Sequence, residues 1–371
     1  MNSTLNVGIV GGGIAGLTCA LALSREGHKV TLHERAPVLE EVGAGIQLSP
    51  NAMKLLIDLG LSSALNTVAS APRSIEVHDG ASAKQISSVT LGPAAEKRYG
   101  APYYVVHRAD LQRILAEACE RERNIKINLG SQIGVIQQNK DSARVGQDRF
   151  DFVVAADGVN SAVRRKLFGV QANPSGLVAW RATLPMNQRP DFFARERTCL
   201  CIGKNAHLVT YPIASGKELN AVAIVPDGIH PSDGFARWHE RITAILELGD
   251  WLEWPLNYVP KLTSWTSGRI VMIGDAAHAM LPFAAQGGAM AVEDAYSLAK
   301  ALSNSSSITT DVSNWEIKRK KRTEAIAKLA MRNRWIYHLS GPQALARNFV
   351  MQALGPEKLL ARQDWIYDHH S

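Results

Sequence analysis

Cysteine is scarce in this sequence. Four residues, Cys19, Cys119, Cys199 and Cys201, are scattered over 371 positions. Cys199 and Cys201 fall on one face of a strand, and no second pair completes a zinc site. A disulfide framework is not expected, and reduced thiols suit a cytoplasmic protein. His28, His33, His78, His107 and His278 show no ligand spacing, so no metal centre is expected. No apolar run is long enough to span a bilayer. Residues 7–16 are broken by glycine and show no cleavage pattern, so no signal peptide is expected. Internal repeats are absent. The one basic run, 318–322, reads as the solvated face of a long helix rather than as a nucleic-acid contact.

What is present is ordinary in bulk. Apolar residues make up 46% and charged residues 20%, as in a soluble globular chain with a large core. The net charge of +7 suits anionic ligands.

The informative stretches are local. Residues 5–10 read as a buried parallel strand and run into G-x-G-x-x-G, with Gly11, Gly13 and Gly16 as its glycines. A helix to about Glu26 and a strand at 29–33 follow. Gly11 makes the tight turn, Gly13 lets a pyrophosphate approach the backbone, and Gly16 lets helix pack on strand. Glu34, with Arg35 beside it, stands about 20 residues on, where a carboxylate takes ribose hydroxyls. The hexad alone is weak. In the order strand, turn, helix, strand, Glu it specifies a dinucleotide site, without distinguishing FAD from NAD.

A second pattern lies at 268–295. An apolar run at 270–273 is broken by Gly274 and Asp275. A loop with Pro282, Gln286, Gly287 and Gly288 then leads into a helical pattern, 289–302. Strand, acidic turn, glycine loop and helix start offer bare backbone N–H groups to an electron-rich ligand. Asp275 would accept from ligand hydroxyls. An NAD-only dehydrogenase does not need this loop, and a flavin disulfide reductase would usually carry a second G-x-G-x-x-G, which is absent. One fingerprint plus Gly274-Asp275 favours FAD. Alone, the stretch could also be an ordinary loop before a core helix.

Three more segments bear on a ligand. Residues 42–52, with Gly45, suggest a loop against it, ending in a helix start at Pro50. Arg108 opens a helix and supplies a rigid donor fork, although a salt bridge at a helix start explains it as well. Ala156, Asp157 and Gly158 make a tight turn, with Ser161 placed to cap the next helix. In the strand pattern around 207–211, His207 and Tyr211 are four apart and share a face. A neutral histidine there is a suitable base for a phenol. The pattern alone also fits a half-buried strand with polar tips. His278 reads as a structural turn residue.

The expected fold is α/β: a discontinuous Rossmann-like FAD-binding domain (1–72, 103–170 and 266–310) with an inserted antiparallel-sheet substrate domain (73–102 and 171–265). A C-terminal helical segment (311–371) follows. Strands at 125–129, 131–137 and 150–155 are expected to complete the first sheet. Short alternating runs at 177–184, 198–201, 207–211 and 219–225 build the second. Residues 235–246 and 311–340 read as helices, the latter broken at Gly341 and Pro342 and followed by short helices.

Taken in this order, the motifs resemble the single-component FAD-dependent aromatic hydroxylases, the para-hydroxybenzoate hydroxylase-like flavin monooxygenases. Gly274-Asp275 matches their G-D motif, 282–287 their P-x-x-x-Q/G-G loop, and 157–164 their D-G-x-x-S-x-x-R motif. The pattern is closest to salicylate hydroxylase, 3-hydroxybenzoate 6-hydroxylase and 6-hydroxynicotinate 3-monooxygenase. The last has a histidine where Gln47 stands, and in this Gln47 looks more like the first two. The resemblance implies FAD held by Gly11, Gly13, Gly16, Glu34, Arg35, Gly45, Arg108, Asp157, Gly274, Asp275, Pro282, Gly287 and Gly288. It implies NADH or NADPH as co-substrate, O2 as oxidant, and hydroxylation of a small phenolic or hydroxypyridine acid through a flavin C4a-hydroperoxide. It assigns His207, Tyr211 and Gln286 to the substrate. No nucleic-acid or membrane partner is implied, and monomer and homodimer both stay open. Another flavin enzyme on this fold, or a flavin-binding protein without turnover, is the competing reading. Trp251 and Trp254 do not form the W-x-W-x-I-P segment of a halogenase.

Overall fold

A computed structural model describes residues 4–39, 45–131, 136–303 and 307–369. A six-stranded sheet forms the base of the molecule. Its inner strand, Asn6–Val10, pairs in parallel with Lys29–His33 on one side and Phe152–Ala155 on the other. Ile125–Asn128 extends it beyond the former and Ile270–Met272 beyond the latter. Val7, Ile9, Val153 and Val271 are wholly buried. This is what a parallel sheet covered on both faces requires. The helices Ile14–Arg25 and Gly287–Ser303 pack together, and Arg108–Glu120 packs on the former.

The second sheet has seven strands. Residues 74–90 contribute two of them and residues 173–258 the other five. At its centre Ala206–Ile213 pairs antiparallel with Glu218–Pro226, in a register that sets His207 opposite Ile224 and Tyr211 opposite Asn220. A short ribbon, Gly45–Leu48 with Tyr104–His107, belongs to neither large sheet. The long helix Ile308–Tyr337 packs on the Pro282–Ala284 turn, and Ala330 joins Leu281 and Phe283 in one apolar cluster.

Three sequence expectations change. Ile136–Gln138 does not join the parallel sheet; it pairs with Ala143–Val145 in a separate three-stranded antiparallel sheet. The run 150–155 is two strands. The Asp151 carboxylate accepts the Asn6 N–H at 2.8 Å and marks the break. Residues 235–246 hold no single helix, because His239 caps a new short one, Glu240–Thr243, by accepting from the Arg241 N–H at 3.2 Å. The tail after Gly341 consists of short helices as expected: Gly341–Ala361 is two helices separated at Gly355, where φ is +70°, and Asp364–Tyr367 follows. The proposed ligand loop at 42–44 lies outside the described residues, as do 132–135 of the strand expected at 131–137.

Candidate active site

A cavity of about 1080 Å³ runs between the two sheets. Its walls come from five regions far apart in the chain: the fingerprint turn, Glu34 with Arg35, Arg108, Asp157, and the 275–288 loop. The second sheet closes it with Ala179, Arg181, His207, Tyr211 and Ile224. Of the residues expected to bind the cofactor, Gly11, Gly13, Glu34, Arg35, Gly45, Arg108, Asp157, Asp275, Pro282, Gly287 and Gly288 all line it. Gly16 and Gly274 stand behind the wall.

The glycines are there for space and conformation. Gly11 has φ +105°, and a Cβ on it would lie 2.4 Å from the Ala156 carbonyl oxygen. A Cβ on Gly16 would lie 1.9 Å from the Gly11 carbonyl oxygen, so strand and helix meet there backbone to backbone. The helix Ile14–Arg25 has Gly13 as its N-cap and no acidic residue in its first turn. Its positive end is therefore open to an anion. Glu34 is held in place by accepting the Gly12 N–H at 2.6 Å and the Ala36 N–H at 2.9 Å.

Asp157 caps the next helix through one oxygen, accepting from the N–H groups of Ala162 at 2.8 Å and Val163 at 3.1 Å. Its other oxygen, Oδ1, is buried and has no hydrogen-bond partner among the described residues. Such a group is costly unless a ligand satisfies it. The open helix end, the fixed Glu34 and the waiting Asp157 oxygen fit a dinucleotide laid along this cavity. Arg164, the last residue of the D-G motif, is fully buried and donates to the Ala276 and Val159 carbonyls at 2.8 and 2.5 Å. It ties the Asp157 turn to the Asp275 turn.

Behind the Asp275 turn lies a buried charge network. Asp294 accepts the Gly274 N–H at 3.0 Å, His278 Nε2 at 2.5 Å and Arg319 Nε at 2.7 Å. Glu293 accepts from Arg319 at 2.6 Å, Arg322 at 2.9 Å and Asn51 at 2.7 Å. Burial raises the pKa of both carboxylates, but their cations outweigh it and hold them below their ordinary values. His278 is thus an anchor of the turn, and the long helix clamps the whole arrangement through Arg319.

His207 is 2% exposed and lines the cavity. Burial, with neighbouring His338 adding to it, pushes its pKa well below 6.5, so it is neutral at pH 7. Its Nδ1 lies 3.1 Å from His338 Nε2, which leaves Nε2 for a ligand. Tyr211 shares the cavity wall, but its hydroxyl donates to the Gly45 carbonyl at 2.7 Å and so pins the cofactor-side ribbon. Gln286 is not a wall residue. It is 3% exposed, donates to Ser49 Oγ at 2.9 Å and accepts from Asn51 at 3.1 Å. Its amide is used up in tying the 282–288 loop to the helix Pro50–Asp58.

Two wall or near-wall residues were missed from the sequence. Arg181 lines the cavity with its Nε buried and unpartnered among the described residues, and its guanidinium lies 5.3 Å from the Trp254 ring centroid. A charged residue inside an otherwise alternating strand was the available signal. His338 had none, since it reaches His207 across 131 positions. Among the described residues no cluster of His, Cys, Asp or Glu is arranged to hold a metal, and no helix is long and apolar enough to cross a membrane.

Comparison with known proteins shows the family and the fold. The FAD binding domain family model matches residues 4–225 and 253–332. The chain is 33% identical to a 3-amino-4-hydroxybenzoate 2-monooxygenase of Streptomyces cremeus, covering 98% of this chain and 95% of that protein. It is 31% identical to 3-hydroxybenzoate 6-hydroxylase 1 of Aquipseudomonas alcaligenes, over 98% and 97% of the two chains. The fold also matches the crystal structure of Klebsiella pneumoniae HpxO complexed with FAD and uric acid. There the TM-score is 0.85 at 22% identity, over 96% of this chain and 95% of that one. With the discontinuous Rossmann-like fold, the cavity and these matches in agreement, the chain belongs to the FAD-binding aromatic hydroxylase family.

Proposed function

We propose that this protein is an FAD-dependent monooxygenase that uses NADH or NADPH and O2 to hydroxylate a small phenolic or hydroxypyridine carboxylic acid. One observation carries the reading: a buried neutral base, His207, and a half-buried arginine whose Nε is buried and unpartnered among the described residues, Arg181, line the same cavity as the dinucleotide fingerprint. His207 Nε2 takes the phenolic proton and makes the ring electron-rich. General-base help of this kind is worth ~10²–10⁴ in rate. Arg181 meets the substrate carboxylate, the natural partner for a guanidinium fork with a buried, unsatisfied N–H. Tyr211 shapes the wall and holds Gly45 in place. The helix Gly287–Ser303 has no acidic residue in its first turn, so its positive end favours negative charge beside Gly287 and Gly288. When bound, FAD takes electrons from the nicotinamide and activates O2 for transfer to the ring, chemistry that belongs to the cofactor. The reaction balances as substrate, NAD(P)H, O2 and a proton giving hydroxylated acid, NAD(P)+ and water.

The names of the two relatives support an aromatic acid as substrate. The test is NADH and NADPH oxidation by the FAD-loaded protein with salicylate, 3-hydroxybenzoate, 3-amino-4-hydroxybenzoate and 6-hydroxynicotinate, quantifying peroxide and product together. Stimulated oxidation with one hydroxylated product per nicotinamide supports the reading and identifies the acid. Bound FAD with no stimulation by any acid of this class overturns it.

A further inference from the structure

We propose that Cys199 and Cys201 form a peroxide-reactive dithiol, which closes to a reversible disulfide, on the face of the second sheet turned away from the reaction cavity. The two flank Leu200 on the strand Arg197–Gly203, so both side chains leave one face. Their sulfurs lie 3.6 Å apart. Both join the apolar cluster of Leu184, Met186 and Phe193. Thr198 and Leu200, on the opposite face, line a second cavity of about 930 Å³ that shares His207 with the first. The parallel neighbour Ser74–Asp79 sets Glu76 beside Cys199 and His78 beside Cys201. The proposed hydroxylation uses none of these four groups, and the dithiol does not rest on it.

The surroundings make the two sulfurs unequal. The hydrogen bond from Cys201, and after it the hydrogen bond and charge of His78, outweigh burial and bring the Cys199 thiol down to about 6. Burial, with Cys199 adding to it, pushes Cys201 well above 9. Burial acts to lower His78, but Cys199 and then Glu76 outweigh it and raise it above 6.5. Glu76 lies 3.4 Å from His78 Nε2 and accepts from Arg197 at 2.8 Å. The strand on the other side sets Thr210 and Leu208, neither of them charged, opposite the pair. The covering layer adds Arg241, over the Phe192 ring that packs on His78. At pH 7.5 Cys199 is therefore a thiolate, the nucleophilic form, and Cys201 is the thiol placed to resolve it. Cys199 and His78 keep 4% and 8% exposure beside half-buried Glu76, whereas Cys201 has none, so solvent meets the pair at Cys199. Cys19 and Cys119 have no exposure, and burial pushes both thiols up, Cys119 to about 12. They stay inert.

The chemistry balances. The Cys199 thiolate attacks one oxygen of hydrogen peroxide, the O–O bond breaks, and the departing hydroxide takes the His78 proton. Cys199 is then a sulfenic acid. Cys201 attacks its sulfur, the S–O bond breaks, and the hydroxyl leaves as water with the Cys201 proton. The dithiol loses two electrons, the peroxide gains them, and two waters form. Residues two apart on a strand hold their Cα atoms ~6.6 Å apart, near the upper limit of about 6.8 Å for a disulfide. The bond closes at the edge of its range, and such bonds are reopened readily by thiols.

The experiment treats FAD-loaded wild type, C199S, C201S and H78Q with hydrogen peroxide at pH 7.5. It counts free thiols after denaturation and maps the modified peptides by mass. In wild type, stoichiometric peroxide removes two of the four thiols. The peptide holding Cys199 and Cys201 loses two hydrogens in mass, and dithiothreitol restores it. C201S stops at a Cys199 sulfenic acid, trapped by dimedone, and C199S keeps its remaining thiols. H78Q reacts up to about 10-fold more slowly, the loss of thiolate expected at pH 7.5 as Cys199 moves towards the ordinary value near 8.5. Retained flavin absorbance shows that each variant is folded, and the wild-type result needs no variant. Four free thiols in wild type after peroxide overturn the proposal. So do equal oxidation of Cys19 and Cys119, a disulfide between two chains, and dimedone labelling of C199S at Cys201.

Discussion

Replacing Arg319 by methionine tests the claim that the long helix clamps the cofactor turn. Arg319 is 4% exposed and sits between two carboxylates that are both fully buried, Glu293 at 2.6 Å and Asp294 at 2.7 Å. Breaking a buried pair from one side costs about 3–5 kcal/mol, because the remaining charge loses its partner. Glu293 retains Arg322 and Asn51, and Asp294 retains His278 and the Gly274 N–H. The lower end, about 3 kcal/mol, therefore applies. An unfolding entropy of about 2.1 cal/mol/K per residue gives ~0.8 kcal/mol/K for 371 residues, so Tm falls by about 4 °C. Thermal unfolding of the FAD-loaded protein at pH 7.5 reads this directly. The pH dependence gives a second check. Both carboxylates are depressed, so their stabilisation is complete above the ordinary values of 4.5 and 3.8 and is lost as pH falls through the lower folded values. The gap between wild type and R319M is flat at neutral pH and narrows in that acid range. An unchanged or higher Tm for R319M at pH 7.5 refutes the clamp.

Other predictions concern the site itself. His207→Ala retains FAD but loses ~10²–10⁴ in coupled hydroxylation, seen as peroxide in place of product; wild-type product yield removes His207 as base. Asp275→Ala loses bound flavin or flavin reduction, read by the visible spectrum with and without NADH, and full occupancy with normal turnover contradicts its assignment. Gly16→Ala places a methyl 1.9 Å from the Gly11 carbonyl oxygen, so it yields a protein without bound flavin; a yellow, active variant would show that the turn can relax. Gln286→Ala strips partners from buried Ser49 and Asn51 and costs about 1–3 kcal/mol. That loss appears in denaturant unfolding, and a substrate KM defect without it contradicts the buried placement.

The cofactor half of this architecture was legible because its signals are local. Gly11, Gly13, Gly16 and Glu34 act through spacing within one strand–helix–strand unit, and Gly274 and Asp275 through one turn. Four strands of the seven-stranded sheet could be read from alternation, and so could the shared face of His207 and Tyr211; those at Gln85–Thr90 and Leu252–Tyr258 could not. The side chains' actual engagements could not. Gln286 stands next to two glycines that line the cavity, yet its amide turns to Ser49 and Asn51, a choice made by packing across more than 230 positions. His338 joins His207 only because the long helix folds back over the Phe283 turn. The helix expected at 235–246 is interrupted locally, at His239, whose ring accepts the Arg241 N–H at the start of a separate short helix.

The dispersal of the cofactor wall over five regions has a consequence for biogenesis. At about 5–20 residues per second, synthesis takes roughly 14–55 s to travel from Gly11 to Gly288. Throughout that interval the fingerprint turn exists without the residues that close around the far end of the ligand. Flavin cannot template the early nascent chain. It meets a finished pocket only near the end of translation, after the second sheet has emerged between the two halves of the first. Maturation then depends on how long the nearly complete apoprotein keeps that pocket open, and a shortage of flavin acts on this late species rather than on the first stages of folding.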